Sequence, residues 1–402
     1  MSLTNILKST MLLFAFGLTA CQDKAEQSTE NIPTQSAEKA QVSEVAKTPP
    51  SPPSFADMIN ISKPLGVVGA AYRPLAYEKV THPGLDEALK DFTKTSRSYS
   101  LIVWHKGQIV YENYPKPHSA DTRAESASMH KSVLGLLVGA AIEDGFISGV
   151  EAPIGRYIPE WKDDARGKIT IRDLLEMRSG LNPLDSAGGM ESQSMKFWQK
   201  GEGARDIMMS MELSPKTEKV FAYQNAVSQI LGLIIENSSG LSYHDYLSKR
   251  LWKPIGAKEA KVWFNEEDGF PRVYTGLFAV PRDWLRLGIL VKDRGRFSGK
   301  QIISKSYVSA MTLPSRANPN YGWQIWRGEV YEPARFYTSD KTGIGVKSSE
   351  PFAVKDMLYF DGFGGQRVYI SRSEDLVIVR SGDVQMDWDE SCLLYTSDAA
   401  DE

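Results

Sequence analysis

The 402-residue chain is predicted to fold as an α/β (α+β) protein, an antiparallel sheet flanked by helices with an all-helical region inserted over about residues 128–265. Three observations predict this. Strand-like runs lie on both sides of the chain's middle, near 100–112 and 357–380. A long charge-free helical run separates them. The composition, 42% hydrophobic and 24% charged, is that of an ordinary globular chain with ample core.

The first strands are read from Ser100-Leu-Ile-Val-Trp-His105 and Gln108-Ile-Val-Tyr-Glu112, joined at Lys106-Gly107 as a hairpin. Ser132 to Ile142 follows without a charge, so it should be a helix buried on every side, closed by Glu143, Asp144 and Gly145. Thr170 to Met177 reads as a short capped helix before Ser179-Gly180. Ala226 to Glu236 and Tyr243 to Leu251 are further helices. From about 270 onward the pattern turns back to strands: Met357–Phe360, Arg367–Ile370 and Leu376–Arg380. Strands at both ends imply one sheet built from both parts of the chain.

Outside this domain, expected over residues 55–391, the chain has three other parts. Residues 1–21 read as a secretory signal, with Lys8, an apolar run from Met11 to Leu18, and Leu18-Thr19-Ala20-Cys21. The run is too short for a stable span. It resembles a bacterial lipobox, which implies lipidation of Cys21 and a lipid-anchored, periplasm-facing protein. Gln22 after the cysteine favours the outer membrane over the inner one by the same resemblance. Residues 22–54 are polar and end in Pro49-Pro50-Ser51-Pro52-Pro53, a composition for a disordered tether. Residues 392–402, CLLYTSDAADE, resemble a translated sequencing-library adapter and are read as foreign to the domain, which leaves Cys21 as the one native cysteine and no disulfide.

Charge excludes some functions. A formal net charge of -3 gives no basic field for nucleic acid. The five histidines, at 82, 105, 118, 130 and 244, show no metal-ligand spacing and no HExxH. No metal or organic cofactor is implied. No GxSxG elbow is present and no His follows 244, which argues against a Ser-His-Asp hydrolase.

The chemistry points to Ser128-Met-His-Lys131 at the head of the buried helix. A serine hydroxyl needs a base beside it. At spacing i, i+3 on a helix the lysine amine shares the hydroxyl's face. Burial would lower the lysine pKa and free its lone pair. At a helix start the N–H of Ser128 is also unpaired, and so available to an oxyanion. The spacing alone is weak, since roughly one or two such matches arise by chance in a chain this long. A second match, Ser36-Ala37-Glu38-Lys39, falls in the tether. Tyr223-Gln224-Asn225 adds a phenol that can relay a proton and an amide that can orient the lysine or hold a substrate carbonyl, although a loop tyrosine before a helix start reads the same way.

Four segments occur in order: Ser128-Met-His-Lys131, Ile169-Thr-Ile-Arg-Asp-Leu-Leu-Glu-Met-Arg-Ser-Gly-Leu181, Phe221-Ala-Tyr-Gln-Asn225 and Gly276-Leu-Phe-Ala-Val-Pro-Arg-Asp283. Together they resemble the β-lactamase-related serine hydrolases, which include class C β-lactamases, D-alanyl-D-alanine carboxypeptidases, family VIII esterases and 6-aminohexanoate-dimer hydrolase. The resemblance covers about residues 65–391. It implies a β-lactamase/transpeptidase-like fold, Ser128 as nucleophile, Lys131 as base and Tyr223 as proton relay. It implies small-molecule ester, amide or peptide substrates. The family's third motif, Lys-Thr-Gly or His-Thr-Gly, sits on a strand beside the nucleophile. Lys341-Thr342-Gly343 matches literally but in a polar stretch, whereas Phe360-Asp361-Gly362 lies in a strand pattern. With the latter, Phe363 N–H becomes the second oxyanion donor, and Asn225, Gly362 and Gly364 line the substrate site. No cation then stands ready for a substrate carboxylate, which favours an ester or amide over a β-lactam or D-alanyl peptide. Trp323, in the aromatic stretch Tyr321–Trp326, is expected either on the pocket wall or in the sheet core. The alternative reading is a penicillin-recognising protein, whether β-lactamase, carboxypeptidase or non-hydrolytic sensor.

Overall fold

The computed structural model describes residues 65–391 apart from 81–82, 186–191, 201–202, 216–218, 265–268, 270 and 344. The expected signal, lipobox Cys21, tether and terminal eleven residues lie outside the described residues.

A seven-stranded sheet forms the frame. Its strands are β2 (Glu78–Lys79), β3 (Ser98–His105), β4 (Gln108–Asn113), β10 (Trp326–Arg327), β13 (Leu358–Gly362), β14 (Gln366–Ser371) and β15 (Leu376–Gly382), in the order β10-β13-β14-β15-β3-β4-β2. β15 pairs antiparallel with β3, Ile378 opposite Val103, so the two ends of the domain meet in one sheet, as the sequence pattern predicts. The hairpin β3–β4 turns at Lys106 and Gly107, both at positive φ, +49° and +87°. A two-residue turn with that backbone matches the strand twist. One edge pair, β2 with β4, is parallel, so the sheet is mixed rather than wholly antiparallel.

A second sheet has the order β1-β6-β7-β5, from Leu65–Val68 (β1), Ala124–Glu125 (β5), Ala260–Trp263 (β6) and Leu277–Ala279 (β7). Two small hairpins complete the strands: β8 (Arg296–Phe297) with β9 (Lys300–Gln301), and β11 (Ala334–Phe336) with β12 (Gly345–Lys347).

Strands β13 to β15 are buried at every residue. Such strands need cover on both faces. Helix α1 (Pro83–Thr95) packs against β3 and β4. The central helix α2 (His130–Glu143) is buried from His130 to Ala141 and ends at Asp144, with Gly145 at φ +78°. It packs against α4 (Asn225–Ser239) in the inserted region. Between them α3 (Ile171–Leu175) starts with a complete capping box, Thr170 with Asp173, at the predicted place.

One expectation needs correction. Residues beyond 270 do not simply return to strands. Pro281–Lys292 (α5) and Lys305–Met311 (α6) are helices. The α5 signals are Pro281 in the first turn, Asp283 near its start and Lys292 at its end. Its apolar residues, Trp284, Leu285, Leu287 and Leu290, recur at helical spacing on β14 and β15. Gly288 lets it approach closely, since a Cβ there would meet Val377 at 2.5 Å.

Candidate active site

Ser128 lies in a short 3₁₀ turn, Ala127–Met129, directly before α2. Ala127 has φ +44°, a left-handed conformation that costs a non-glycine residue about 1 kcal/mol or more. The side chain of Ser128 reaches a cavity of about 520 Å³.

Lys131 is 1% exposed. Its Nζ donates to three acceptors: Ser128 Oγ at 2.9 Å, Asn225 Oδ1 at 2.8 Å and Tyr274 O at 3.0 Å. None is an anion. Burial therefore pulls the lysine down to about 7, against the opposing pull of Asp361 and Glu125. A neutral amine keeps two N–H bonds and one lone pair. With Asn225 and Tyr274 taking the N–H groups, the lone pair faces the Ser128 hydroxyl.

The Tyr223 phenol is hydrogen-bonded to the Ser128 side chain, and Lys131 Nζ lies 4.7 Å from its ring centre. Burial, and then the negative charge of Asp361, hold this phenol well above its ordinary pKa, so it stays protonated. Its backbone N–H donates to Tyr337 O at 2.8 Å, which fixes the loop before α4. His130, inside the motif, faces away. Its Nδ1 meets Thr275 O at 2.8 Å and its Nε2 meets Tyr243 Oη at 3.0 Å. A carbonyl only accepts, so the proton sits on Nδ1. Burial pushes this ring down to about 4, which leaves it a neutral brace.

The opposite wall is the β13–β14 hairpin. Gly362 abuts the Ser128 turn so closely that a Cβ would lie 2.7 Å from Ser126 O. Gly364 and Gly365 turn the hairpin at φ +70° and +91°. Asp361, one residue earlier, points away to Arg335 at 3.0 Å, Arg367 at 2.8 Å and the Tyr337 hydroxyl at 3.2 Å. Glu390 closes the group, 2.5 Å from Arg335 and 2.7 Å from Arg367. Burial works to raise the Asp361 pKa, but the two guanidinium groups prevail and hold it below the usual carboxylate range. The remaining walls are largely apolar, with Leu184, Met195, Phe197, Trp198, Phe363 and Trp388.

The serine-lysine-tyrosine cluster, the buried helix and the mixed sheet are now in place. A family model described as Beta-lactamase matches residues 85–381. The chain belongs to the beta-lactamase family. A curated relative, the 6-aminohexanoate-dimer hydrolase of Paenarthrobacter ureafaciens, is 24% identical over 239 residues, 57% of this chain and 59% of the relative. Protein flp of Staphylococcus aureus (strain COL) is 31% identical over 167 residues, 39% of this chain and 33% of that protein. The chain thus spans less than two thirds of the length of these relatives. Among solved structures, a Bacillus anthracis protein proposed to be a 6-aminohexanoate-dimer hydrolase has TM-score 0.65 at 20% identity, covering 84% of this chain and 88% of its own. A penicillin binding protein from Bacillus halodurans has TM-score 0.55 at 14% identity, covering 76% and 96%. These likenesses show a β-lactamase/transpeptidase-like fold, as the motif order implies.

In this beta-lactamase-family chain most predicted site residues come together. Ser128, Tyr223, Asn225, Gly362, Phe363 and Gly364 line one cavity, with Lys131 beneath them. Phe360-Asp361-Gly362 lies in the strand beside the Ser128 turn. Lys341-Thr342-Gly343 is exposed, with Lys341 paired to Glu332 at 3.3 Å. Trp323 is not brought to the cavity. It is 6% exposed, its indole N–H reaches Glu176 at 3.4 Å, and its ring packs 5.2 Å from Tyr307. Of the two expectations for this residue, core is the one realised. Sequence reasoning missed the Tyr274 carbonyl, which carries no side-chain signal. It also missed the partners of Asp361: Arg335 and Tyr337 lie 26 and 24 residues before it, and Arg367 lies 6 residues after it.

Proposed function

We propose that the chain is a serine hydrolase that cleaves ester or amide bonds through an acyl-enzyme on Ser128. The observation that carries this is the three-acceptor cage of Lys131, which aims a nitrogen of pKa about 7 at the Ser128 hydroxyl. In the first step Nζ takes the hydroxyl proton as Oγ bonds the acyl carbon. The backbone N–H groups of Ser128 and Phe363 face the developing oxyanion. As the carbon–leaving-group bond breaks, the Tyr223 phenol gives its proton to the leaving oxygen or nitrogen and regains one from the Lys131 ammonium. Water then attacks the acyl-enzyme with Lys131 again as base, and Ser128 is restored. Asn225 orients Lys131, and Gly362 and Gly364 let the hairpin close on the substrate.

The apolar walls favour a neutral acyl group. Arg367 reaches the cavity, but Asp361 and Glu390 already match it and Arg335. A penicillin-type substrate, whose carboxylate asks for a cation, fits this wall less well. The test is hydrolysis of a short-chain p-nitrophenyl ester by the full chain beside Ser128→Ala. Loss of a serine nucleophile costs about 10⁶-fold where measured in an unrelated enzyme, so the variant should be silent. Equal turnover by both proteins would show that Ser128 is not the nucleophile.

A further inference from the structure

The Glu125 side chain is half-buried and makes no ion pair among the described residues. All of its partners are hydrogen-bond donors. One carboxylate oxygen accepts the N–H of Gly276 at 2.5 Å and the Thr275 hydroxyl at 2.9 Å. The other accepts the N–H of Ala127 at 2.7 Å. Burial raises the Glu125 pKa above its ordinary value, and the hydrogen bonds from Gly276, Ala127 and Thr275 oppose that rise by favouring the ionised carboxylate. The two segments it joins are both parts of the reaction site. Ala127 is the left-handed residue that launches the Ser128 turn. Residues 274–275 supply the Tyr274 carbonyl to Lys131 and the Thr275 carbonyl to His130.

The geometry points to Glu125 as a positioning residue that clamps the Ser128 turn to the Tyr274–Gly276 segment before β7 and thereby sets the alignment of Lys131. This rests on the hydrolase reading above. Reacting groups displaced by about 1 Å can lose roughly 10²-fold in rate, and the clamp fixes both ends of the Ser128–Lys131 contact. Charge acts beside geometry. The groups facing Lys131 are the hydroxyls of Ser128 and Tyr223, neutral His130 and Tyr274, and two carboxylates: Asp361, with Arg335 and Arg367 behind it, and Glu125. Asp361 supports the lysine's proton more strongly, and Glu125 adds to that support.

The test compares Glu125→Gln and Glu125→Asp with wild type, as kcat, KM and pH profile per folded protein. Glutamine keeps the shape but turns an NH₂ toward one of the two backbone N–H groups and removes the charge. Its kcat should fall about tenfold to a hundredfold with KM little changed. The acid limb of its profile should move to lower pH, because the anion that raised the lysine pKa is gone. Aspartate keeps the charge on a shorter arm, so its kcat should fall while the acid limb stays at the wild-type position. Unchanged kcat and acid limb in folded Glu125→Gln would overturn the assignment. If that variant does not fold, an unchanged kcat in folded Glu125→Asp overturns it instead. Labelling of Ser128 by a fluorophosphonate in wild type separates the two readings. An unlabelled, inactive wild type sinks the hydrolase proposal, whereas a labelled wild type with indifferent Glu125 variants sinks this one alone.

Discussion

Lys131 and Arg367 are both buried cations beside one cavity, and they are kept in opposite ways. Lys131 has three neutral acceptors and no anion in contact. Arg367 has Asp361 at 2.8 Å and Glu390 at 2.7 Å, and Arg335 shares both carboxylates. Burial opposes the charged form in each case. At Lys131 it wins, and the pKa falls to about 7. At Arg367 it is outweighed by Asp361 and Glu390, and the pKa rises. The same desolvation thus produces a proton acceptor in one wall and a permanent charge cluster in the other. The difference lies in what contacts the cation rather than in depth.

The largest effect expected from this contrast comes from Lys131→Met, which has a similar reach and no charge. Activity should fall by three orders of magnitude or more, on the scale of losing a base that acts as a unit with its nucleophile. Stability should respond to pH with a definite sign. The folded pKa lies below the unfolded lysine value, so wild type carries a cost for protonated Lys131 that is complete below pH 7. The cost shrinks as pH rises from 7 toward 10.5 and is absent above it. Between pH 6 and pH 10, wild type should therefore gain on Lys131→Met by on the order of 4 kcal/mol in denaturant unfolding. A gap that stays constant with pH would show that Lys131 is not depressed. Wild-type kcat/KM should rise through an acid limb near pH 7, since the neutral amine is the working form.

An intermediate effect is expected on the other side of the comparison. Glu390→Gln leaves two buried guanidinium groups with one carboxylate. Breaking a buried pair in this way costs about 3–5 kcal/mol, read by denaturant unfolding. Activity per folded molecule should stay within a few-fold, and the acid limb should not move, because Asp361 keeps its charge toward Lys131. A stability near wild type would mean that the cluster tolerates a net charge, and the contrast with Lys131 would weaken.

The two walls were unequally legible in the sequence. The lysine wall sits on local patterns: an i, i+3 pair heading a charge-free helix, and a tyrosine two residues before Asn225 at the start of α4. Spacing along one helix translates directly into shared direction. The arginine wall is built from Arg335, Asp361, Arg367 and Glu390 on separate segments, of which only Asp361 and Arg367 are neighbours across the sheet, so tertiary folding is what brings the four together. Helix α5 was missed for another reason. Its apolar face is interleaved with Arg282, Asp283 and Arg286, and the strand patterns farther along the chain outweighed a helical period only about three turns long. Glu125 gave no signal because its partners are two backbone N–H groups, which every residue but proline offers, and the hydroxyl of Thr275, 150 residues away along the chain.

The smallest effect on turnover should come from Trp323→Phe, which probes where the cavity ends. The indole packs against Tyr307, with the Arg172 guanidinium 5.1 Å from its ring and a long 3.4 Å hydrogen bond to Glu176. All of these are core contacts beneath the lysine wall. Phenylalanine leaves a small void and removes the donor to Glu176, at a cost of about 1–3 kcal/mol in unfolding. The kcat and KM for a series of p-nitrophenyl esters of increasing acyl length should stay within twofold of wild type at every length. A KM that rises selectively with chain length would instead place Trp323 at the floor of the acyl site. The cavity would then have to open toward α3 and α6 when substrate binds, and the aromatic stretch from Tyr321 to Trp326 would belong to recognition as well as to packing.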